Sequence, residues 1–579
     1  MSVKVAVISN CDDAVIFWGA DRAIRDCWGY AIERERAAAD GGVQRITLDN
    51  RTGFARDEPK SGDHRPSTVW PFQRFWWADH SVDAGDRVRY RVTPMIYEAG
   101  VLHEQIDERS PWTPWAELSG TAADKCSLYF NRGLVISQFM SRYLEDLRTR
   151  ESLPTRRAAL AAFKRSLEEH ETPIRKFLGG VLRTRLLELL KEAKQKRWHV
   201  FGALYELEDD ELVAALARLG KRAHIVLANG SITKKASETT VNARKRDQNA
   251  SARARLLSAK VEVFDRFVSP GPLAHNKFLV LASREASARA VWTGSTNWTT
   301  TGLCTQINNG LLVQHTAFAQ EYLLQWQRLR DAGSKFPKAL VDANATSKAV
   351  TVGKSAARIW FTRAPKRVDL AAIDEAINAA QDGVLFLMFQ PGSAGALGTV
   401  RALLKKPAGR YIKGVVSTLP PANAADEDAV DVTVHGDETH PVSLDIVQPT
   451  GVKAPFASWA ATVMREEFLA NVGYAIVHSK VIVIDPHTAP VVITGSHNFS
   501  SSASTRNDEN FVILRGNKPL ALAFGAHILS VYHHYRWLSF VSDMQKKGRN
   551  PAAYLREADT WQAGHLKGAN RRERDFWLR

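Results

Sequence analysis

The sequence predicts a multidomain fold: an N-terminal all-β sandwich, a helical connector and two similar α/β lobes that together form one site. Three patterns support this prediction. Apolar and charged residues alternate strictly near residue 90, leucines recur at helical spacing before residue 196, and two later series of strands and helices each contain the same short motif. The predicted divisions are a sandwich at 1–122, a connector at 123–195, and lobes at 196–345 and 346–579.

The N-terminal region reads as short strands separated by turns. After a turn at Gly85, the side chains of Val88, Tyr90 and Val92 alternate with three arginines, which is the pattern of a strand with one buried face. Tyr90 resembles the tyrosine corner of sandwich domains, so the region resembles a fibronectin type III or immunoglobulin-like domain. We interpret the aromatic run at 70–77 as sandwich core and interdomain contact, with a ligand platform as the alternative.

The connector and the lobes differ in hydrophobic period. Leu178, Leu182 and Leu186 recur on one helical face. From about residue 198 the pattern becomes strand, helix, strand, and a similar series begins after about residue 350. A stretch rich in small and polar residues at 333–352 joins the two series, so we expect two α/β halves of related structure.

The chain is basic, with 78 Lys and Arg against 62 Asp and Glu and a formal net charge of +16. This balance favours polyanionic partners such as nucleic acid or a peripheral anionic membrane surface, although charge also serves solubility alone. Four scattered cysteines form no CxxC pair, which predicts neither a zinc site nor a disulfide framework and fits a reducing compartment. They are Cys11, Cys27, Cys126 and Cys304.

The N-terminal residues contain no basic segment followed by a long apolar core, and no run of about 18 apolar residues occurs in the chain. The sequence therefore predicts a cytoplasmic protein without a membrane-spanning helix. An export route that needs no such signal stays open.

The decisive observation is an internal repeat. The first copy contains His275-Asn-Lys277 before an apolar strand, and then Gly294-Ser295-Thr-Asn297 followed by an aromatic residue. The second copy has the same order and nearly the same spacing: 17 residues separate lysine from glycine in the first copy and 15 in the second. Its residues are His478, Lys480, Asp485, Ser496 and Asn498.

Histidine and lysine two residues apart on a strand point to the same face. If the two copies meet, two imidazoles and two ammonium groups come together, which is unfavourable unless an anion lies between them. A phosphodiester supplies that anion, and the amides of Asn297 and Asn498 can donate to its oxygens. The repeat therefore predicts one phosphate site assembled from two half-sites.

These motifs resemble the phospholipase D superfamily, whose signature is HxKxxxxD followed by GSxN. Its members include phospholipases D, cardiolipin and phosphatidylserine synthases, nucleases and tyrosyl-DNA phosphodiesterase. The resemblance covers residues from about 195 to 545 and implies two α/β lobes around one phosphate. It also implies metal-independent chemistry without a cofactor: one histidine attacks phosphorus to form a phosphohistidine, and the other protonates the leaving alcohol.

The two copies are not equal. Asp485 occupies the family's aspartate position, where we expect a structural role, and Glu509 stands where the family has an acid that orients the catalytic histidine. In the first copy Ala282 and Asn308 occupy these positions, an asymmetry similar to that of tyrosyl-DNA phosphodiesterase. We therefore expect His478, supported by Glu509, to be the acid and base, and the less supported histidine of the first copy to be the nucleophile.

The predicted site has four catalytic residues, and the others bind phosphate or orient these four. The catalytic residues are His275, Lys277, His478 and Lys480. The supporting residues are Ser295, Asn297, Asn308, Asp485, Ser496, Asn498 and Glu509. Because one chain contains both half-sites, we expect a monomer.

Two substrate classes compete. The pairing of motifs in one chain and the aromatic N-terminal region favour phospholipid headgroups, and hence a phospholipase D. The basic runs at 234–255 and 570–574 favour a nuclease or DNA-repair phosphodiesterase, unless they are only a solvated face. A third alternative is a binding protein whose site is vestigial.

Overall fold

The structure is a computed structural model that describes residues 3–38, 41–391, 395–404, 410–417, 444–447 and 477–579. The predicted second lobe includes two long segments, 418–443 and 448–476, that lie outside the described residues. In the described part of the chain, no helix combines the length and the apolar composition needed to cross a bilayer.

The N-terminal region is built from ten strands. They are β1 (Lys4–Ser9), β2 (Ala14–Gly19), β3 (Cys27–Ala37), β4 (Val43–Thr47), β5 (Asp49–Asn50), β6 (Arg65–Pro66), β7 (Trp76–Asp79), β8 (Arg87–Glu98), β9 (Val101–Glu104) and β10 (Ala116–Glu117). One sheet has the order β1-β2-β7 and the other β10-β8-β3-β4, with β9 paired to β8 and β5 to β6. Side chains of both larger sheets share one core, so the region is a two-layer β structure.

Strand β8 buries the face that the alternation predicts: Val88, Tyr90 and Val92 are fully buried. The tyrosine-corner expectation is wrong in its hydrogen bond, because the Tyr90 hydroxyl donates to the Asp79 side chain at 3.0 Å rather than to the backbone. That carboxylate also pairs with the buried Arg34 guanidinium at 2.8 Å. A charged acceptor inside the core therefore takes the bond that a carbonyl takes in a tyrosine corner.

Three helices follow, α1 (Gly133–Arg150), α2 (Arg156–Glu168) and α3 (Pro173–Lys196). The expectation of a purely helical connector from residue 123 is wrong at its start, because Cys126–Phe130 forms strand β11. This strand is mostly buried and pairs antiparallel with a strand of the first lobe almost 180 residues later in the chain. A five-residue segment with four apolar residues and no clear period does not distinguish a strand from a helix in sequence.

The first lobe surrounds a seven-stranded sheet of order β11-β17-β16-β15-β12-β13-β14. Its further strands are β12 (His199–Leu204), β13 (Ala223–Ala228), β14 (Glu262–Arg266), β15 (Lys277–Ala282), β16 (Ala288–Gly294) and β17 (Asn309–Val313). Its helices are α4 (Asp210–Ala217), α5 (Thr240–Arg244), α6 (Ala250–Ser258), α7 (Thr300–Cys304), α8 (Thr316–Ala332) and α9 (Lys338–Ala343).

The second lobe repeats this sheet with one extra edge strand, in the order β18-β19-β25-β24-β23-β20-β21-β22. Its strands are β18 (Lys348–Val352), β19 (Ser355–Phe361), β20 (Gly383–Met388), β21 (Tyr411–Val416), β22 (Leu444–Val447), β23 (Val481–Ile484), β24 (Val491–Gly495) and β25 (Asn510–Arg515). Its helices are α10 (Val368–Asn378), α11 (Ala396–Leu404), α12 (Ser501–Thr505) and α13 (Lys518–Lys546). The parallel and antiparallel pairs match between the lobes strand for strand.

The C-terminal residues return to the N-terminal region, which the predicted division at 346–579 does not anticipate. Helices α14 (Gln562–His565) and α15 (Gly568–Trp577) close the chain. Trp561 enters the core between the N-terminal sheets and donates to the carbonyl of Cys27 at 2.9 Å. Arg574 donates to the carbonyl of Ala20 at 2.9 Å. Contacts between segments more than 500 residues apart leave no periodic signal in one sequence.

The two lobes are joined through their backbones at equivalent points. The amide of His275 donates to the carbonyl of Asp508 at 2.9 Å, and the amide of His478 donates to the carbonyl of Ile307 at 3.0 Å. A single hydrophobic core continues from one lobe into the other beneath these bonds. The fold therefore fixes the two motif histidines from opposite lobes.

Helix α13 carries three buried histidines where it packs against other elements. Burial lowers the pKa of His527 and of His534 to about 3, and it lowers the pKa of His533 well below its usual value. His527 stacks on Phe130, and His533 stacks on Trp76 of the N-terminal region, with ring centroids 3.8 and 3.4 Å apart. These imidazoles are held neutral in the folded state.

We predict that stability falls steeply as the pH drops below about 6.5, where the unfolded chain protonates these histidines and the folded chain does not. Each contributes a slope of about 1.4 kcal/mol per pH unit between its unfolded and folded pKa. Urea unfolding from pH 7.5 to 5 measures the slope. His527→Phe should reduce it by about one histidine's share, whereas Leu529→Met on the same helix should leave it unchanged. An unchanged slope in His527→Phe would contradict the assignment.

Candidate active site

The four motif residues lie at the beginning of a central strand in each sheet. His275 precedes β15 and Lys277 begins it, whereas His478 and Lys480 both precede β23. All four residues are at most 4% exposed. They also act on one another electrostatically, because the charges of His275, Lys277 and Lys480 each lower the pKa of His478. The structure thus brings both half-sites together.

Each imidazole is held by a residue of the opposite lobe. His275 Nδ1 lies 2.7 Å from Glu509 Oε2, and His478 Nδ1 lies 2.8 Å from Asn308 Oδ1. The expectation that Glu509 supports His478 is therefore wrong. The expectation that Asn308 stands beside His275 is wrong for the same reason. Both residues stand just before a strand at the lobe interface, β25 and β17, and their side chains point across it. Sequence spacing identifies such residues without showing which lobe they face.

The two serines of the motifs support these orienting residues. Ser295 Oγ donates to Asn308 Oδ1 at 2.7 Å, and Ser496 Oγ donates to Glu509 Oε2 at 2.8 Å. The Asn308 amide donates to the Gly302 carbonyl at 2.9 Å, which directs its oxygen to the imidazole. Both histidines therefore carry hydrogen on Nδ1 and leave Nε2 for other partners.

Each lysine is fixed by its own backbone and by an aromatic ring. Lys277 Nζ and Lys480 Nζ donate to the carbonyl of the histidine two residues before them, at 2.7 and 2.6 Å. The ring of Tyr205 lies 4.9 Å from Lys277 Nζ, and that of Phe389 lies 4.6 Å from Lys480 Nζ. These rings follow β12 and β20, the strands beside the motif strands, and sequence reasoning missed both. Their only signal was an aromatic residue at the end of each strand.

The Asn297 side chain has a partner within the protein as well as hydrogen-bonding capacity left for a phosphate. One of its amide hydrogens goes to Glu206 Oε2 at 2.5 Å, a half-buried acid that sequence reasoning also missed. The side-chain oxygens of Asn297 and of the half-buried Asn498 are buried without a hydrogen-bond partner among the described residues. Each amide group retains at least one hydrogen for an anion.

Asp485 binds the backbone of its own lobe. Its carboxylate accepts from the amides of Gln381, Asp382 and Gly383 at 2.7–2.8 Å, at the beginning of β20. This arrangement fixes the entry of the chain into the central strand of the sheet. The first lobe has Ala282 at the equivalent position and does without the bond.

The half-site of His275, Lys277 and Glu509, here called the acid half-site, contains a compensating carboxylate. Burial lowers the pKa of His275 to about 4, with Glu509 opposing the shift. Burial also lowers the pKa of Lys277 to about 7, opposed by Glu509 and Glu206. Although burial acts to raise the pKa of Glu509, His275 and Lys277 hold it below its usual value.

The half-site of His478, Lys480 and Asn308, here called the amide half-site, has only a neutral orienting group. Burial lowers the pKa of His478 well below its usual value, and Lys480 and Lys277 lower it further. Burial and Lys277 likewise depress the pKa of Lys480. Positive charge is therefore more costly here than in the acid half-site, and an anion would relieve that cost.

The arrangement suits a phosphate anion. The two lysines and the two histidines are buried and near enough to act on one another electrostatically, and a bound anion would favour the positive charge that burial disfavours. Among the residues described, no three or more His, Cys, Asp or Glu side chains are grouped so that they could hold a metal ion.

A search of curated protein sequences finds no match to this chain. Similar solved structures include phosphatidylserine synthase of Haemophilus influenzae Rd KW20, which is 10% identical with a TM-score of 0.39 over 63% of this chain and 92% of that one. Polyphosphate kinase of Porphyromonas gingivalis is 12% identical with a TM-score of 0.36, and the match spans 57% of this chain and 45% of that one. Yeast tyrosyl-DNA phosphodiesterase is 12% identical with a TM-score of 0.28, over 55% and 82%.

One family model matches the chain in two segments, residues 186–330 and 422–528. Its description is cardiolipin synthase, PLD-like domain. Each segment contains one copy of the repeated motif, and part of the second lies outside the described residues. Residues 186–330 and 422–528 of this chain are therefore similar to the PLD-like domain of cardiolipin synthase.

Proposed function

We propose that this chain is a metal-independent phosphodiesterase that works through a covalent phosphohistidine. The observation that carries the proposal is the unequal support of two facing imidazoles: a carboxylate binds His275 and a neutral amide binds His478. Unequal partners give two histidines of one site different proton affinities, which is what a nucleophile and an acid require.

His275 is the proposed nucleophile. Its Nδ1 hydrogen is held by Glu509, so the Nε2 lone pair is available, and a pKa of about 4 leaves the ring neutral at pH 7. When Nε2 bonds to phosphorus the ring becomes positively charged, and the Glu509 carboxylate stabilises that charge. Sequence reasoning reached the same assignment from the opposite premise, because it placed Glu509 behind the other histidine.

His478 is the proposed acid. Because Asn308 is neutral and two lysines are near, its imidazolium form gives up a proton readily. A bound phosphodiester anion raises the pKa of His478, so the ring is protonated when the substrate is bound. This imidazolium donates its proton to the leaving oxygen as the P–O bond breaks. The neutral ring then accepts a proton from water, which attacks phosphorus, breaks the P–N bond and releases a phosphomonoester.

The phosphate oxygens are held by Lys277, Lys480, Asn297 and Asn498. Both ammonium groups are already fixed by backbone carbonyls and rings, so little side-chain entropy is lost when the substrate binds. Preorganised donors of this kind stabilise the charge of a pentacoordinate transition state.

Phospholipid headgroups are the first proposed substrate, because the matching family model is described as a cardiolipin synthase domain. Nucleic acid is the second, supported by the basic loop that follows β13. Ser231 in this loop is near enough to the Tyr205 hydroxyl to oppose the rise that burial causes in its pKa, and Lys234, Lys235 and Lys245 are exposed. A cationic loop beside the site would attract a polyanion.

The remaining expectations stay part of the proposal. The two packed sheets of the N-terminal region support a fibronectin type III or immunoglobulin-like domain that flanks the lobes. All four cysteines are buried and free, which supports a reducing, cytoplasmic location. One chain supplies both half-sites, which supports a monomer.

We predict headgroup release from phospholipid vesicles and cleavage of bis(p-nitrophenyl) phosphate, both undiminished by EDTA. The purified chain is also offered a single-stranded oligonucleotide, with His275→Ala as the inactive control. Cleavage of the oligonucleotide without headgroup release would move the substrate to nucleic acid. Loss of every activity in EDTA would contradict the metal-independent mechanism, and no turnover at all would favour a binding protein.

We predict that His478→Asn accumulates a phosphoenzyme on His275 from bis(p-nitrophenyl) phosphate. The p-nitrophenolate leaves without a proton, so this variant can still attack phosphorus but lacks the group that activates water. Its turnover should fall by about 10²–10⁴-fold. The adduct is detected as an acid-labile mass increase on the peptide that contains His275. His275→Asn serves as the matched control and should show no adduct. An adduct on His478 in that control would reverse the two roles.

A further inference from the structure

One half-buried acid of the site, Glu206, has no part in the proposed reaction. Glu206 follows Tyr205 at the end of β12 and accepts a hydrogen bond from Asn297 Nδ2 at 2.5 Å. The equivalent position of the second lobe is Gln390, which is exposed and follows Phe389 at the end of β20. The two positions therefore differ in charge. Of these two equivalent positions, only that of the first lobe places a carboxylate beside the phosphate position.

The bond to Asn297 sets how close this carboxylate is to a bound phosphate. One amide hydrogen of Asn297 goes to Glu206, and the other is left for a phosphate oxygen. Two hydrogen bonds that share one amide nitrogen place their acceptors roughly 5 Å apart. Lys277 and Lys480 both act on the Glu206 carboxylate, so it also lies within the field of the groups that hold the phosphate.

The charge balance of the site depends on this acid. When a phosphodiester is bound, the two lysines and the protonated His478 contribute three positive charges, and Glu509 and Glu206 contribute two negative charges. A phosphodiester adds one negative charge, whereas a phosphomonoester adds two at neutral pH. Because the site is buried, repulsion at roughly 5 Å is weakly screened and increases with the charge of the ligand.

We propose that Glu206 is a specificity residue that makes the phosphate site prefer singly charged phosphodiesters to doubly charged phosphomonoesters, including the product. This inference rests on the proposed function. A site with two lysines and no such carboxylate would hold its own product more tightly than its substrate. Glu206 thereby favours release of the monoester once the P–N bond breaks.

The test compares bis(p-nitrophenyl) phosphate as substrate with p-nitrophenyl phosphate as competitive inhibitor at pH 7.5. In Glu206→Gln the Ki of the monoester should fall at least about tenfold relative to the KM of the diester. Glu206→Asp, which keeps the charge, should stay close to the parent ratio. Glu208→Gln, an exposed neighbour bonded to Gln248, should leave the ratio unchanged.

An unchanged ratio in Glu206→Gln would overturn the inference while leaving the proposed function intact, because that function is tested by turnover of the diester in the parent chain. Equal gains in affinity for the monoester and the diester would also overturn the inference, because Glu206 would then weaken the binding of every anion regardless of its charge. Thermal melting of each variant shows whether it folds. If Glu206→Gln does not fold, Glu206→Ala, which also removes the charge, provides the second measurement and should lower the same ratio.

Discussion

The active site depends on contacts that cross the lobe interface. His275 is bonded to Glu509 through its side chain and to Asp508 through its backbone, and His478 is bonded in the same way to Asn308 and Ile307. Neither lobe can orient its own histidine. The half-sites are therefore functional only in the assembled pair, and a shared hydrophobic core beneath them keeps the pair together.

Burial gives these contacts their chemical effect. In water, two lysines and two histidines would keep their ordinary proton affinities. In this site, burial lowers the pKa of all four, and the Glu509 carboxylate, which is bonded to His275 and not to His478, separates the two halves. Positive charge is more costly in the amide half-site than in the acid half-site. One duplicated motif thus yields two environments, and the proposed division of roles follows from that difference.

Much of the fold could be predicted because the chain repeats itself. The motifs around Lys277 and Lys480, with strands on either side, indicate two related sheets, and the structure has two sheets of matching strand order. The short strand β11 and the return of Trp561 to the N-terminal core could not be predicted. Both depend on contacts between residues that are distant in the chain and have no periodic pattern.

The sequence predicted most residues of the site but not which of them contact each other. Spacing identified Asn308 and Glu509 as orienting residues, yet it assigned each to the wrong histidine, because spacing along one chain does not show which lobe a side chain faces. Tyr205, Phe389 and Glu206 were missed because they belong to neighbouring strands that carry no motif.

The crossed support of two unequal histidines is the central claim, and a crystal structure with vanadate bound tests it most directly. The result expected is vanadium bonded to Nε2 of His275, with Glu509 on Nδ1 of that ring and His478 facing the opposite apical oxygen. Lys277, Lys480, Asn297 and Asn498 should surround the equatorial oxygens. Vanadium bonded to His478, or Glu509 bonded to that histidine, would contradict the account.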